Sequence, residues 1–348
     1  MNSGDVLKEF WVEEPVTDPV SLYRLRDGLM AVDLLAAAVV HLNLFSWLAD
    51  HPATLGAICA HHGLKTRPAD VLMTLTAALG LTTQSGGVHH LTLRAREHLT
   101  EGSPFSLLPY YRTLGKRPQT VEFLEVLRSG SPANWGSQHS AAWAEAMEEE
   151  GFADEFTAAM DCRGVLLAPA LAKVLPLEQT RRFLDVAGGS GIYACAVAAR
   201  FPGLQVAVYE KPPVDRIASR CIARRGFGSR VGVVAGDMFR EEWPGGYDAI
   251  LLSNVLHDWE ELEAKGLLRR AAGVLPSGGW LVVHDAFLNS EKTGPLPVAQ
   301  YSALLMHSTM GRCYSVGEMR AWMEEVGVEW VRHVPTAVDR SCVLGRKL

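Results

Sequence analysis

Hydrophobic positions along this chain change period near its middle. From Val20 to Leu48 they recur at helical spacing, with Leu22, Leu25, Leu29, Val32, Leu35 and Val39 in step, and Leu34 to Val40 is apolar nearly all round. A helix apolar on more than one face is buried on more than one side. Thr54 to Leu81 reads as two short helices broken at Gly63 to Arg67, and a small alternating stretch, Thr83 to Leu93, turns at Gly86-Gly87. Helix, turn, helix, hairpin predicts a winged-helix-like unit. Its second helix, Pro68 to Leu79, carries no Lys or Arg, and its Leu72, Met73, Leu75 and Leu79 read as core. Phosphate contacts supply most nucleic-acid affinity, so a structural or dimerising role is expected of this unit and no nucleic-acid partner.

Beyond residue 170 the pattern becomes strand and helix in alternation. Phe183 to Val186, Leu204 to Tyr209, Val231 to Val234, Ala249 to Leu252 and Trp280 to Val283 are short β-rich runs, separated by helical stretches such as Tyr193 to Ala199 and Leu262 to Val274. That alternation predicts an α/β fold with a mostly parallel sheet covered on both faces. The tail adds Glu329 to His333 and Cys342 to Arg346, close enough in sequence to form an antiparallel pair at one edge. A helix from about Ala141 to Val174 is expected to link the halves.

At 348 residues, 48% hydrophobic and 21% charged, the chain has an ordinary globular composition, which rules out a disordered or fibrous reading. The net charge is −6, with no block of like charge. Six scattered cysteines without a CxxC pair support neither a disulfide framework nor a structural zinc site. Met1 to Glu14 is polar and acidic, unlike a secretory leader. The most apolar stretch, Leu34 to Phe45, contains His41 and Asn43 and falls short of the roughly 20 residues of a membrane span. A cytoplasmic protein with no membrane partner is expected. Twelve histidines are the main reserve of titratable chemistry.

Phe183-Leu-Asp-Val-Ala-Gly-Gly-Ser-Gly191 leads from a strand into a helix, and Glu210 ends the next strand. Gly189 to Ala194 satisfies a relaxed dinucleotide fingerprint, so glycine spacing alone fits a nicotinamide cofactor as well as S-adenosylmethionine. Charge decides between them. A dinucleotide lays its pyrophosphate on the helix N-terminus, and Asp185 just upstream disfavours that anion while suiting the ammonium of a methionyl group. Glu210 is placed for the ribose hydroxyls. Gly236-Asp237-Met238-Phe239 offers another acid and an apolar pair for an adenine ring.

These segments, together with Asn254-Val-Leu-His-Asp-Trp259, Leu275-Pro-Ser-Gly-Gly279 and Asp285, resemble the class I methyltransferases of the plant-type small-molecule O-methyltransferase family, including its bacterial natural-product branch. The resemblance covers essentially the whole chain. It implies a Rossmann-like sheet with an antiparallel edge strand, preceded by an all-α, winged-helix-like domain used for homodimerisation. The resulting division is a dimerisation domain over 1–105, linking helices lining the acceptor site over 106–170, and a catalytic domain over 171–348. The expected cofactor contacts are Asp185, Gly188, Gly189, Gly191, Glu210, Asp237, Met238 and Ser253. The resemblance also implies that His257 takes a proton from the acceptor hydroxyl, oriented by acids, with Asp285 matching one of them and Asp258 beside it. A helix-capping role for Asp258 is the plainer alternative.

Two departures from the family pattern bear on the substrate. The second orienting acid falls on Cys313, in Gly311-Arg-Cys-Tyr-Ser315, while His307 lies on the preceding helical segment. Two imidazoles with Asp258 nearby would suit a divalent or ferric transition metal held by His257 and His307. Phe156, Met160 and Arg163 share one helical face, which lines the acceptor pocket in the resembling enzymes, and Arg163 there would clamp a carboxylate. Arg128 is a second candidate clamp. For each arginine the plainer reading is a local ion pair, with Asp161 or Glu125. Leu304 completes the acceptor contacts, and Phe105, Tyr110, Tyr111, Trp143 and Tyr314 are candidate lining residues. This combination resembles the 2-oxo-acid C-methyltransferases of peptide-antibiotic pathways. The first expectation is therefore C3-methylation of a 2-oxo acid through a metal-stabilised enolate. The alternative is O-methylation of a phenol or enol, with His257 as base and no metal.

Overall fold

The computed structural model describes residues 15–133 and 143–348. Those residues fall into two compact units, one formed by 21–133 with 288–315, the other by 143–287 with 316–348 and residues 15–20.

The first unit is built from helices. In chain order they are α1 (Val20–Asp27), α2 (Ala31–Val40) and α3 (Leu44–Asp50), then, after the short strand β1 (Ala53–Thr54), α4 (Leu55–His62) and α5 (Thr66–Ala78). The hairpin β2 (Thr82–Ser85) and β3 (Val88–Leu91) follows, then α6 (Leu93–His98), α7 (Leu108–Arg112) and α8 (Pro118–Ser129). β1 pairs antiparallel with β3, making a three-stranded wing in the order β1-β3-β2. Two residues are too short for an alternation to register, which is why β1 has no sequence signal.

Helix α5, the second helix of the winged-helix-like unit, is not a free face. Val71, Leu72, Met73 and Leu75 are buried. The helix starts earlier than its apolar pattern, taking in Arg67, whose guanidinium donates to the carbonyls of Gly130, Thr309 and Gly311. The stripe from Leu22 to Val39 splits instead. Leu34, Leu35 and Val39 are buried, whereas Leu22, Leu25, Leu29 and Val32 are 56–74% exposed.

The second unit opens with α9 (Trp143–Ala146) and α10 (Glu150–Val174), so the single linking helix expected from 141 is broken between 147 and 149, and residues 141 and 142 lie outside the described residues. Then come β4 (Arg182–Val186), α11 (Ile192–Arg200), β5 (Gln205–Glu210), α12 (Val214–Arg224), β6 (Val231–Ala235), β7 (Ala249–Ser253), a 3₁₀ turn (Leu256–Asp258), α13 (Glu261–Val274) and β8 (Trp280–Asp285). α14 (Leu296–Ser308) returns to the first unit, where it packs on α5. α15 (Val316–Glu325), β9 (Val328–Pro335) and β10 (Ser341–Lys347) complete the chain.

The sheet order is β6-β5-β4-β7-β8-β10-β9. β4 to β8 run parallel, and β10 inserts antiparallel between β8 and the edge strand β9. β4, β7 and β8 are buried almost throughout, as strands covered on both faces must be. The fold is therefore the Rossmann-like α/β sheet with an antiparallel edge that the sequence pattern predicts.

Candidate active site

The chain leaves β4 toward β5 on one side, while β7 pairs on the other. This is the point where strand order reverses, and ligands of open α/β sheets bind outside the carboxyl ends of the strands there. Gly188 to Gly191 follow β4, and Glu210 ends β5. Ser253 ends β7, His257 and Asp258 follow it, and Asp285 ends β8.

Backbone conformation and close packing require glycine at three positions of the turn. Gly189 and Gly191 have φ of +55° and +74°, in the left-handed region. A Cβ on Gly188 would meet Asp185 Oδ2 at 2.7 Å. Asp185 is 1% exposed beneath the turn. Burial, then the neighbouring Glu210, push its carboxyl up to about 8, with the Ala194 N–H holding it down. Glu210 accepts from the Gly189 N–H at 3.0 Å and the Lys211 N–H at 2.9 Å. Burial still raises it to about 7. Each carboxylate oxygen keeps lone pairs for a further donor. Two desolvated acids beneath an open glycine turn suit a cationic adenosyl sulfonium with ribose hydroxyls, so the residues present fit S-adenosylmethionine. Burial thus favours the protonated form of Asp185 where its place in the sequence suggests an ordinary carboxylate.

Further round the edge, Asp237 Oδ1 accepts from the Phe239 and Arg240 N–H groups at 2.8 and 3.2 Å, which shapes the loop after β6. The Met238 carbonyl accepts from Trp243 Nε1. Phe239 meets Trp259 edge to face at 4.5 Å. That contact ties the loop after β6 to Trp259, the residue next to Asp258, and has no signal in the sequence because 20 residues separate the two rings. The Ser253 hydroxyl is engaged with His284 Nδ1 at 3.0 Å and with the Asn254 amide.

His257 is 4% exposed. Its Nδ1 lies 2.5 Å from Asp285 Oδ1, and its Nε2 lies 3.7 Å from Asp258 Oδ1. Asp285 is itself oriented by the Ala286 N–H at 2.7 Å. Burial works against a charged imidazole, but the Asp285 and Asp258 carboxylates outweigh it and hold His257 above its ordinary value, with Arg163 pulling the other way. Burial pushes Asp258 up to about 6. Asp258 is not a helix cap: it lies in the 3₁₀ turn, and α13 is capped by Glu260 in a reciprocal box with Glu263.

Arg163, on α10, is close enough to weigh on His257 and Asp258. Asp161, on the same helix, is bound by Arg225 through both carboxylate oxygens. Met160 is half-buried, and Phe156 packs with Phe152 against Val214 and Ile217 of α12. In the other unit, His307 is 8% exposed and its Nε2 pairs with Glu122 Oε2 at 3.0 Å. Glu122 had no signal, since 185 residues separate the partners. Arg128 is exposed, Leu304 half-buried, and Cys313 fully buried with its N–H donating to Ser302. Phe105 and Tyr110 are exposed, Tyr111 is half-buried and Tyr314 is buried against the Arg312 guanidinium. The Trp143 side chain lies outside the described residues. Among the described residues no group of three or more His, Cys, Asp or Glu is arranged to hold a metal ion.

Asp185 and Glu210 make stability depend on pH. Unfolded carboxyls titrate near about 4, while the folded chain keeps these two protonated to about 8 and about 7. The folded state thus binds the excess protons in that window, and its stability falls as pH rises through it. Ligand-free protein should show a falling unfolding temperature between about pH 5 and about pH 9, and Asp185→Asn should flatten the fall. A profile identical in both proteins would show that Asp185 titrates normally.

The family described as an O-methyltransferase domain matches residues 123–329. A 3-hydroxy-5-methyl-1-naphthoate 3-O-methyltransferase of Streptomyces sahachiroi is 30% identical over 318 residues, 91% of each chain. An L-tyrosine C(3)-methyltransferase of Streptomyces lavendulae is 29% identical, over 78% of this chain and 76% of that one. The crystal structure of an O-methyltransferase family 2 protein from Planctomyces limnophilus in complex with apigenin superposes with a TM-score of 0.89 at 36% identity, covering 97% of this chain and 98% of that one. The chain belongs to the O-methyltransferase domain family and is an S-adenosylmethionine-dependent methyltransferase acting on a small molecule.

Proposed function

We propose that the protein methylates a hydroxyl on a small aromatic acceptor carrying a carboxylate, in natural-product biosynthesis in the cytoplasm. The observation that carries this reading is the buried contact of 2.5 Å between His257 Nδ1 and Asp285. Asp285 keeps the proton on Nδ1, which leaves Nε2 as the basic nitrogen. His257 Nε2 takes the acceptor hydroxyl proton, and the imidazolium so formed lies between two carboxylates that stabilise it. Asp185, Glu210, Asp237 and the glycine turn hold the cofactor, which when bound supplies a methyl group on a sulfonium. Arg163 holds the acceptor's carboxylate. The hydroxy-naphthoate named for the S. sahachiroi relative has this combination of hydroxyl and carboxylate.

Metal-assisted C3-methylation of a 2-oxo acid is the second reading, favoured by the departure at Cys313 and by a relative named for methylation at carbon. It stands second because His307 Nε2 is already engaged by Glu122, and His257 is arranged as a carboxylate-backed base. Replacing His257 with Gln should lower kcat by about 10²–10⁴-fold and leave cofactor affinity unchanged. Turnover by the unaltered enzyme should survive a metal chelator in full and rise as pH climbs through the raised His257 pKa. Chelator-sensitive methylation of a 2-oxo acid would establish the second reading.

The exposed stripe of Leu22, Leu25, Leu29 and Val32 supports a homodimer through the N-terminal helices. Four large apolar side chains exposed from α1 to the start of α2 are the kind of surface that marks an interface. Light scattering should give a dimer, and Leu25→Lys with Leu29→Lys should give a folded monomer; a variant that remains dimeric places the interface elsewhere.

A further inference from the structure

Three helices of the second unit converge on the glycine turn, and two of the contacts leave no space for a side chain. A Cβ on Gly164, in α10, would meet Ile192 Cγ2 at 2.5 Å. Ile192 is the first residue of α11 after the turn. A Cβ on Gly191 would meet Ile222 of α12 at 2.7 Å. Carbon atoms in ordinary contact stand about 3.5–4.0 Å apart, so the backbone of α10 is seated directly on the side chain that begins the cofactor helix. A set of ion pairs also ties α10 to α12. Those of Arg216 and Arg220 with Glu150 and Asp154 are more than half exposed, and exposed pairs contribute little. Arg225 with Asp161 differs, because the two side chains are only 10% and 16% exposed and the guanidinium reaches both carboxylate oxygens. Asp161 and Gly164 flank Arg163.

We infer that Gly164 and the Asp161–Arg225 pair are positioning residues that set the register of Arg163 against the cofactor turn, so that the acceptor's carboxylate partner and the cofactor cradle move as one body. The assignment of Arg163 to the acceptor rests on the reading above; the seating of α10 on Ile192 does not. An added methyl at 164 must displace either α10 or the first turn of α11, which disturbs both ligands at once. Ile192→Ala removes Cγ2 and Cδ1, the atoms an added Cβ at 164 would meet, and so relieves the overlap.

The test compares Gly164→Ala, Gly164→Ala with Ile192→Ala, Asp161→Asn and Arg163→Gln. Calorimetry gives S-adenosylmethionine affinity without acceptor, and kcat/KM for a hydroxynaphthoate against the matching naphthol gives the preference for an anionic acceptor. Gly164→Ala should weaken cofactor binding about tenfold and erode the anion preference toward that of Arg163→Gln. The double variant should recover both to within about threefold. Asp161→Asn should erode the preference in the same direction, and it carries the test if Gly164→Ala does not fold. Wild-type affinity and preference in a folded Gly164→Ala protein, or no recovery in the double variant, would overturn the inference. If Arg163→Gln leaves the preference intact, the acceptor reading of Arg163 fails, while the calorimetric arm still decides the register.

Discussion

The pairing of β4 with β5 on one side and β7 on the other is the constraint on which the site depends. It makes β4 the strand where the sheet changes direction, so its carboxyl end faces a crevice that no crossover helix fills. The parallel neighbours then deliver Glu210, the His257 turn and Asp285 to the same edge. Each of these residues ends or follows a different strand, and none is near the others in sequence. Their separation is fixed by hydrogen-bonded register, which is stiffer than any loop.

Electrostatics divides that edge into two environments. Around the glycine turn, Asp185 and Glu210 are desolvated acids with little positive charge to offset them, and both retain their protons into the neutral range. A cationic ligand favours their ionised forms and draws both pKa values down, whereas a pyrophosphate would push them further up. At the ends of β7 and β8 the balance is opposite. His257 is just as deeply buried, but two carboxylates raise its proton affinity despite the desolvation. The same burial therefore prepares one side for a cation and the other for proton abstraction.

Much of this was legible in the sequence because it is local. The strand periods, the glycine turn, the acids ending strands and the His257-Asp258 motif lie within short windows and came out in place. What was not legible depends on partners distant in sequence or on which side of a helix is covered. Glu122 meets His307 and Arg225 meets Asp161 only through the fold, so neither pairing has a signal in the sequence. Leu22 and Leu25 have the periodicity of core residues yet are exposed, because spacing alone does not tell a covered helix face from an uncovered one. Asp258 and Glu260 both precede a helix, and only the backbone shows that Glu260 makes the cap.

As the proposed catalytic base, His257 and Asp285 should work as one unit. A double-variant cycle measures this directly, with kcat determined for Asp285→Asn, His257→Gln and the two together on a hydroxylated aromatic acid. Groups that work as a unit lose their function once. Asp285→Asn should therefore cost most of what His257→Gln costs, and the pair together should be no slower than His257→Gln alone. Losses that multiply, or an Asp285→Asn enzyme with unaltered kcat, would contradict the claim.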